Sequence, residues 1–325
     1  MTPQRLGVVD VGSNSVRLLL CEGVSESGPE GERFSTVTGL RRGAAPDGTI
    51  AEDALDRLDD CLAGYAARLG AFRPARVAAV GTSAVRDAPN ADRVGEIVSR
   101  RLGAPVRTLS GDEEAALAFA GARLAVDGDA PVMVIDVGGG STELVRGGAG
   151  GPQGAVSLQL GAVRHTERFL PGDPPTPGQL AALRAEARAM AVPALEEIGG
   201  PAEAVGVAGT ITTLAAIDLG RYDPEIVHRH RLSRGRIDDL GARLATMTVA
   251  ERRSVPGLDP ARAGVIVAGA VIVAAILDAA GLDGLMVSER DLLDGVALEA
   301  LAELREDVPR STAAPERADL PGSGS

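Results

Sequence analysis

The sequence contains no lysine, so all 33 of its basic residues are arginines. That absence removes Walker-type P-loops, the strand lysine of kinases and every Schiff-base mechanism at once. Any phosphate chemistry must then rest on backbone amides, arginine guanidinium groups and metal ions. Tryptophan is absent too and aromatic residues make up only 2% of the chain, so stacking platforms for single-stranded nucleic acid are nearly impossible to build. Cys21 and Cys61 are too few for a disulfide framework, and their apolar neighbours suit buried thiols in a reducing cytoplasm. Long hydrophobic runs are missing as well. The longest, Ala263 to Ala280, is cut by Gly264, Gly269 and Asp278, and Met1 to Gly7 has no apolar signal core. No membrane partner is expected, and the location expected is cytoplasmic.

What the chain does have is an acidic balance, 45 Asp and Glu against 33 Arg, for a formal net charge of -12. The bulk field repels nucleic acid and anionic membranes. Its 325 residues suit two domains. Leu6 to Val11 and Val16 to Cys21 read as strands joined by a polar turn, and Ala51 to Leu69 has the spacing of an amphipathic helix. Strand, helix and strand then alternate to Leu109, which implies a partly parallel sheet. An alanine-rich helix runs from Gly111 to about Leu124, where the domain boundary is placed, giving domains 1–124 and 125–308. Val132 to Val145 repeats the strand-turn-strand grammar. Gly147 to Gly154 reads as a surface loop, helices dominate from Arg236, and 309–325 reads as a disordered tail. The apolar segment Ala263 to Ala280 suits either a core helix or a homodimer contact.

The most informative feature is an internal echo. Val9-Asp10-Val11-Gly12-Ser13-Asn14-Ser15 is matched by Ile135-Asp136-Val137-Gly138-Gly139-Gly140-Ser141-Thr142. Glycine turns let backbone N–H groups converge on an anion, and Ser and Thr hydroxyls add donors, which makes a phosphate cradle without lysine. An aspartate at each strand end can hold Mg²⁺ against the phosphate oxygens. One such turn equally suits an ordinary hairpin; two at equivalent places are a pattern. A third turn, Gly209-Thr210, ends a strand and opens a helix, a ready anion site. Together these resemble the layout of the acetate and sugar kinase, heat-shock chaperone and actin superfold, which implies an α/β, ribonuclease H-like architecture with a ligand cleft between two halves.

Within that superfold the chain resembles the exopolyphosphatase and guanosine pentaphosphate phosphohydrolase (Ppx/GppA) family. The resemblance is carried by Asp10-Val11-Gly12-Ser13-Asn14-Ser15, Gly81-Thr82-Ser83-Ala84-Val85-Arg86, Ser110-Gly111-Asp112-Glu113-Glu114-Ala115 and Asp136 to Leu144, with Gly209-Thr210 and Val255-Pro256-Gly257-Leu258 with Arg262 as further matches. It implies hydrolysis of a terminal phosphoryl group from inorganic polyphosphate or guanosine pentaphosphate with Mg²⁺, or Mn²⁺ in its place. It also implies Glu114 as catalytic base, and Asp10, Asp136 and Glu143 on the metal side. Gly12, Ser13, Asn14 and Ser15 would form the first phosphate loop, and Gly138, Gly139, Gly140, Ser141 and Thr142 the second, with Arg86, Gly209 and Thr210 as further phosphate ligands. Glu113 and Glu114 are adjacent on a helix, so only one can face the cleft. Arg86 could instead pair with Asp87 or Asp92. Arg41, Arg42, Arg164 and Arg262 are candidates along the polyanion path, and His165, His228 and His230 are read as non-catalytic, the last two on a basic surface strip. Longer family members continue into further helical domains; this short form is expected to favour short polyphosphate chains. A nucleotide-regulated scaffold of the same superfold is the alternative outside enzymology.

Overall fold

A computed structural model of the protein describes residues 5–25, 28–199 and 203–306; the tail expected over 309–325 lies outside them. The first half runs Leu6–Val11 (β1), Ser15–Ser25 (β2), Gly28–Val37 (β3), Glu52–Phe72 (α1), Arg76–Gly81 (β4), Ser83–Arg86 (α2), Ala91–Leu102 (α3), Val106–Thr108 (β5) and Gly111–Arg123 (α4). The second begins with Val132–Val137 (β6), Thr142–Gly148 (β7), Gly151–Leu158 (β8), Ala162–Phe169 (α5), Pro177–Ile198 (α6), Ala204–Val207 (β9) and Ala208–Leu219 (α7). It continues through Pro224–Val227 (α8), Arg231–Ser233 (β10), Arg234–Ala245 (α9), Val249–Arg252 (α10), Ile266–Ala279 (α11), Gly284–Val287 (β11) and Leu292–Glu306 (α12).

The echo in the sequence is an echo in topology. One sheet has the order β3-β2-β1-β4-β5, and the other, β10-β11-β9-β6-β7-β8, contains the same arrangement with β10 added at its edge. In each, an antiparallel meander (β1-β2-β3, β6-β7-β8) is extended by parallel strands. This is the doubled α/β architecture of the superfold. The stretch Gly147 to Gly154, expected as a surface loop, is instead the tip of the β7-β8 hairpin. Its glycines hide the strand signal because the side chains that normally mark one are missing. Strands β3 and β10 also escape a pattern reading. β3 is polar and rich in glycine, and β10 is three residues long.

Side-chain alternation along the central strands decides where the chemistry sits. On β1, Val9 and Val11 enter the core under α1 and α3, whereas Leu6 and Val8 face α12. Asp10 shares their parity and points the same way. On β6, Met133, Ile135 and Val137 enter the large helical core, whereas Val132 and Val134 face α4. Asp136 shares that face. The alanine-rich α4 lies between the sheets, giving Ala118 to one core and Ala115, Phe119 and Ala122 to the other. The apolar segment beginning at Ala263 becomes α11, buried from Ile266 to Leu277 within the second core.

The final helix α12 returns to the first sheet, where Leu292, Leu293, Val296, Ala297, Ala300 and Leu301 pack with Leu6, Val8 and Leu19. It also presses on α4: a Cβ placed on Gly295 would lie 1.9 Å from the Leu117 carbonyl oxygen. Gly295→Ala is expected to lower stability by about 1–3 kcal/mol, since backbone rather than a flexible side chain must yield. Thermal unfolding measures this, and an unchanged Tm would contradict the crossing.

Candidate active site

The two glycine turns are built alike. In the first, the Gly12 N–H donates to the Ser15 carbonyl at 3.1 Å; in the second, Gly138 N–H donates to the Ser141 carbonyl at 3.0 Å. Strand register sets Asp10 opposite Arg17 and Asp136 opposite Glu143. The turns then meet face to face. A Cβ on Gly140 would fall 2.6 Å from Ser83 Oγ and 2.8 Å from Ser13 Oγ, so both serine hydroxyls would have to swing aside to admit one. Ser13 and Ser83 hydroxyls are themselves 3.1 Å apart.

Between the turns lies a cavity of about 90 Å³, room for a terminal phosphoryl group and its waters. Asp10, Gly12, Ser13, Asn14, Ser15, Glu114, Asp136, Gly138, Gly139, Ser141, Gly209 and Thr210, all anticipated from the sequence, line it. Gly140, Thr142, Glu143 and Arg86 stand just behind. The Thr142 hydroxyl donates to the Leu160 carbonyl, and the Glu143 carboxylate accepts from Ser157 Oγ at 2.9 Å.

Helix α4 resolves the adjacent glutamates. Ser110 is its N-cap and Glu113 completes a capping box: the Ser110 N–H donates to Glu113 Oε2 at 2.8 Å and the Glu113 N–H to Ser110 Oγ at 3.2 Å. Glu113 is consumed by the helix end. Glu114, about 100° further round, is buried in the cavity. Its Oε2 accepts from Arg86 Nη1 at 2.9 Å, and the same nitrogen donates to the Leu109 carbonyl. Arg86 thus pairs with Glu114, more closely than with Asp87 at 3.6 Å.

Arg17 and Asp291 are the site residues missed from the sequence. Arg17 lines the cavity, and its guanidinium lies between Asp10 and Asp291. The signal was present: Arg17 stands seven residues after Asp10, as Glu143 stands seven after Asp136. Arg262 lines the cavity too, with Nη2 3.4 Å from Ser15 Oγ. Arg164 braces the second turn, donating from Nε to the Gly140 carbonyl at 2.8 Å and pairing with Asp87 at 3.0 Å. Arg41 supports the first turn through its backbone, donating to the Ser13 carbonyl. The expected strip of His228 and His230 is half-buried: His228 Nδ1 accepts from the Glu289 N–H and His230 Nε2 lies 2.9 Å from Asp218. His165 is buried and stacked on Phe169.

Carboxylates crowd this cavity, and burial pushes their proton affinities up. Glu114 and Asp136 are each raised to about 7, burial outweighing the nearby arginines, and Glu143 is raised well above its usual range. Among the described residues no three His, Cys, Asp or Glu side chains form a protein cage for a metal. The donor set nevertheless suits a hard cation held by one or two carboxylates with phosphate oxygens and water completing its shell. Two buried oxygens on the lining residues, Asp10 Oδ1 and Asn14 Oδ1, find no hydrogen-bond partner among the described residues. Those are the atoms such an ion would satisfy.

Comparison with known proteins places this arrangement. The Ppx/GppA phosphatase family matches residues 33–304. Exopolyphosphatase 2 of Mycobacterium tuberculosis is 36% identical over 320 residues, covering 92% of this chain and 99% of that protein. The guanosine-5'-triphosphate,3'-diphosphate pyrophosphatase of Vibrio vulnificus is 29% identical over 305 residues, 93% of this chain and 60% of its own. The crystal structure of the Aquifex aeolicus Ppx/GppA family member superposes with a TM-score of 0.75 at 30% identity, covering 94% of this chain and 99% of that one. An exopolyphosphatase from Cytophaga hutchinsonii superposes at 0.84 with 27% identity, covering 92% and 98%. With its paired glycine turns and a buried glutamate between them, the chain belongs to the Ppx/GppA phosphatase family.

Proposed function

We propose that this protein is an exopolyphosphatase that removes the terminal phosphate of inorganic polyphosphate, with Mg²⁺ or Mn²⁺ bound at Asp10 and Asp136. The observation that carries the reading is Glu114: a carboxylate buried between two phosphate-cradling turns, its proton affinity raised toward neutrality. A base poised near the working pH is what water activation needs. The hydroxyls and the remaining N–H groups of the Ser13 to Ser15 and Gly139 to Ser141 turns hold the terminal phosphoryl oxygens, the Gly12 and Gly138 N–H groups being used to close the turns themselves. Glu114 orients the attacking water and takes its proton, while Arg86 fixes the carboxylate's rotamer. Arg17 and Arg262 offset charge on the bridging and leaving oxygens. When bound, the metal ion neutralises phosphate oxygens and polarises the anhydride. Polyphosphate is favoured because a relative of nearly equal length bears the name exopolyphosphatase.

The remainder of the substrate has a place to go. Past Arg17, Ala208, Gly209 and Arg262 the catalytic cavity adjoins a second one of about 720 Å³, which Arg33 and Arg221 also line. Its wall includes Phe34, Tyr222, Leu258 and Leu293, wide and apolar enough for a nucleoside. That wall favours guanosine pentaphosphate as the second reading. Phosphate release from short polyphosphate, long polyphosphate, guanosine pentaphosphate and ATP, with and without Mg²⁺, decides between them. Release from short chains at the highest kcat/KM supports the proposal; release from guanosine pentaphosphate alone, or from none, overturns it.

The raised carboxylates carry a pH prediction. Where a folded-state pKa lies above the unfolded value, the native state holds the extra proton and stability falls as pH rises through the interval. For Glu114 and Asp136 that interval runs from the ordinary carboxylate range up to about 7. A divalent cation relieves the repulsion only where these groups are ionised. The rise in Tm on adding Mg²⁺ is therefore expected to grow between pH 5.5 and pH 8. Buried histidines shift stability equally with and without the ion and cancel in the difference. A pH-independent Mg²⁺ effect would remove the metal from this cluster.

A further inference from the structure

The ion cluster at the start of α12, Asp291 and Asp294 with Arg33 and Arg290, has no role in the scheme above, yet it reaches Asp10 through Arg17. Arg17 Nε donates to Asp10 Oδ2 at 2.9 Å and Nη2 lies 2.8 Å from the same oxygen, so both contacts fall on one atom. A guanidinium free to choose engages both carboxylate oxygens with parallel hydrogen bonds. Here Nη1 is drawn the other way, onto Asp291 Oδ2, and Asp10 Oδ1 is left buried without a hydrogen-bond partner among the described residues. Asp291 is not free to follow Arg17. Its Oδ1 accepts the Leu293 N–H at 3.0 Å, and its own N–H donates to Asp294 Oδ2 at 2.9 Å. Asp294 is fully buried and pinned by Arg33 at 2.5 Å and Arg290 at 3.0 Å.

We propose that Asp291 is a positioning residue that acts through Arg17, holding the guanidinium part-way off Asp10 so that Asp10 keeps one oxygen for a divalent cation. The inference rests on the reading of Asp10 as a metal-side carboxylate. Charge acts in the same direction. Asp10, Arg17 and Asp291 together carry one net negative charge; with Asp291 neutral they carry none. Loss of that charge disfavours a cation in the cavity and favours an anion, effects of opposite sign from a single substitution.

Asp291→Asn is the test, because asparagine caps a helix as well as aspartate and preserves the Leu293 contact. Titration calorimetry without substrate is expected to give Mg²⁺ binding weaker by roughly tenfold, on the scale of one charge removed nearby. Binding of inorganic phosphate, measured without metal, is expected to stay equal or tighten. Asp291→Glu, which restores the charge, should recover Mg²⁺ affinity. If the asparagine variant does not fold, Asp291→Ser keeps a capping oxygen and serves in its place. Unchanged Mg²⁺ affinity, or Mg²⁺ and phosphate weakened together as a loosened helix end would produce, overturns the proposal and leaves Asp10 as a ligand. A wild-type protein that binds no Mg²⁺ overturns the metal reading itself, and this inference with it.

Discussion

Replacing Glu114 with glutamine is expected to lower kcat by about 10²- to 10⁴-fold, the range that a positioned general base supplies. The amide keeps the volume of the carboxylate and an oxygen to accept from Arg86 Nη1, which also retains the Leu109 carbonyl. Cavity shape is thereby preserved, and substrate binding should change little. Glu113 cannot substitute as base, because its carboxylate and N–H are both engaged with Ser110 at the exposed helix end. The measurements are initial rates of phosphate release at saturating substrate and, separately, the inhibition constant of a non-hydrolysed phosphate analogue. Loss of kcat with an unchanged inhibition constant fits a group that acts in the transition state alone. Turnover within twofold of wild type would take the base role away from Glu114. Equal damage to rate and inhibition constant would make Glu114 a structural support for the cavity.

How much of this site was legible beforehand depended on whether a residue's neighbours lie close in sequence. The Asp10 and Asp136 turns were readable because strand, aspartate and glycine turn are contiguous, and repetition distinguishes them from a chance hairpin. The choice between Glu113 and Glu114 was half-legible. Ser110 three residues before Glu113 is a capping-box spacing, and a glutamate used by its own helix end cannot face the cleft. Arg86 was legible as a site residue but not as the partner of Glu114, because that contact joins α2 to the start of α4, 28 residues apart. Asp291 was invisible, since it reaches Arg17 across 274 residues when α12 folds back onto the first sheet. A net of -12 argues against phosphate chains on the outer surface, yet Arg17 and Arg262 line the cavity, where low dielectric strengthens each of them.

Gly161→Ala is expected to lower kcat/KM by about 10²-fold from a position that the sequence does not flag at all. The glycine's backbone, φ -140° and ψ 154°, is ordinary extended geometry that alanine adopts freely, so strain in the chain is not the cause. Space is. A Cβ there would lie 2.4 Å from the Gly139 carbonyl oxygen and 2.4 Å from the Gly140 carbonyl carbon, both backbone atoms of the second phosphate turn. The turn cannot simply tilt away, because its carbonyls cap the start of α5: Ala162 N–H donates to Gly138 O at 2.9 Å, and Val163 and Arg164 N–H donate to Gly139 O at 2.9 and 3.1 Å. Relief therefore moves the turn and the first turn of the helix together. A displacement of about 1 Å in groups that position a reacting phosphate costs on the order of 10² in rate. Because the turn binds phosphate before and during reaction, KM should rise along with the fall in kcat, which separates this variant from Glu114→Gln. Gly150→Ala, whose Cβ would meet open space at the β7-β8 tip, is the control and should leave both constants unchanged. Wild-type kinetics in Gly161→Ala would mean that the second turn does not need its observed position to hold the substrate.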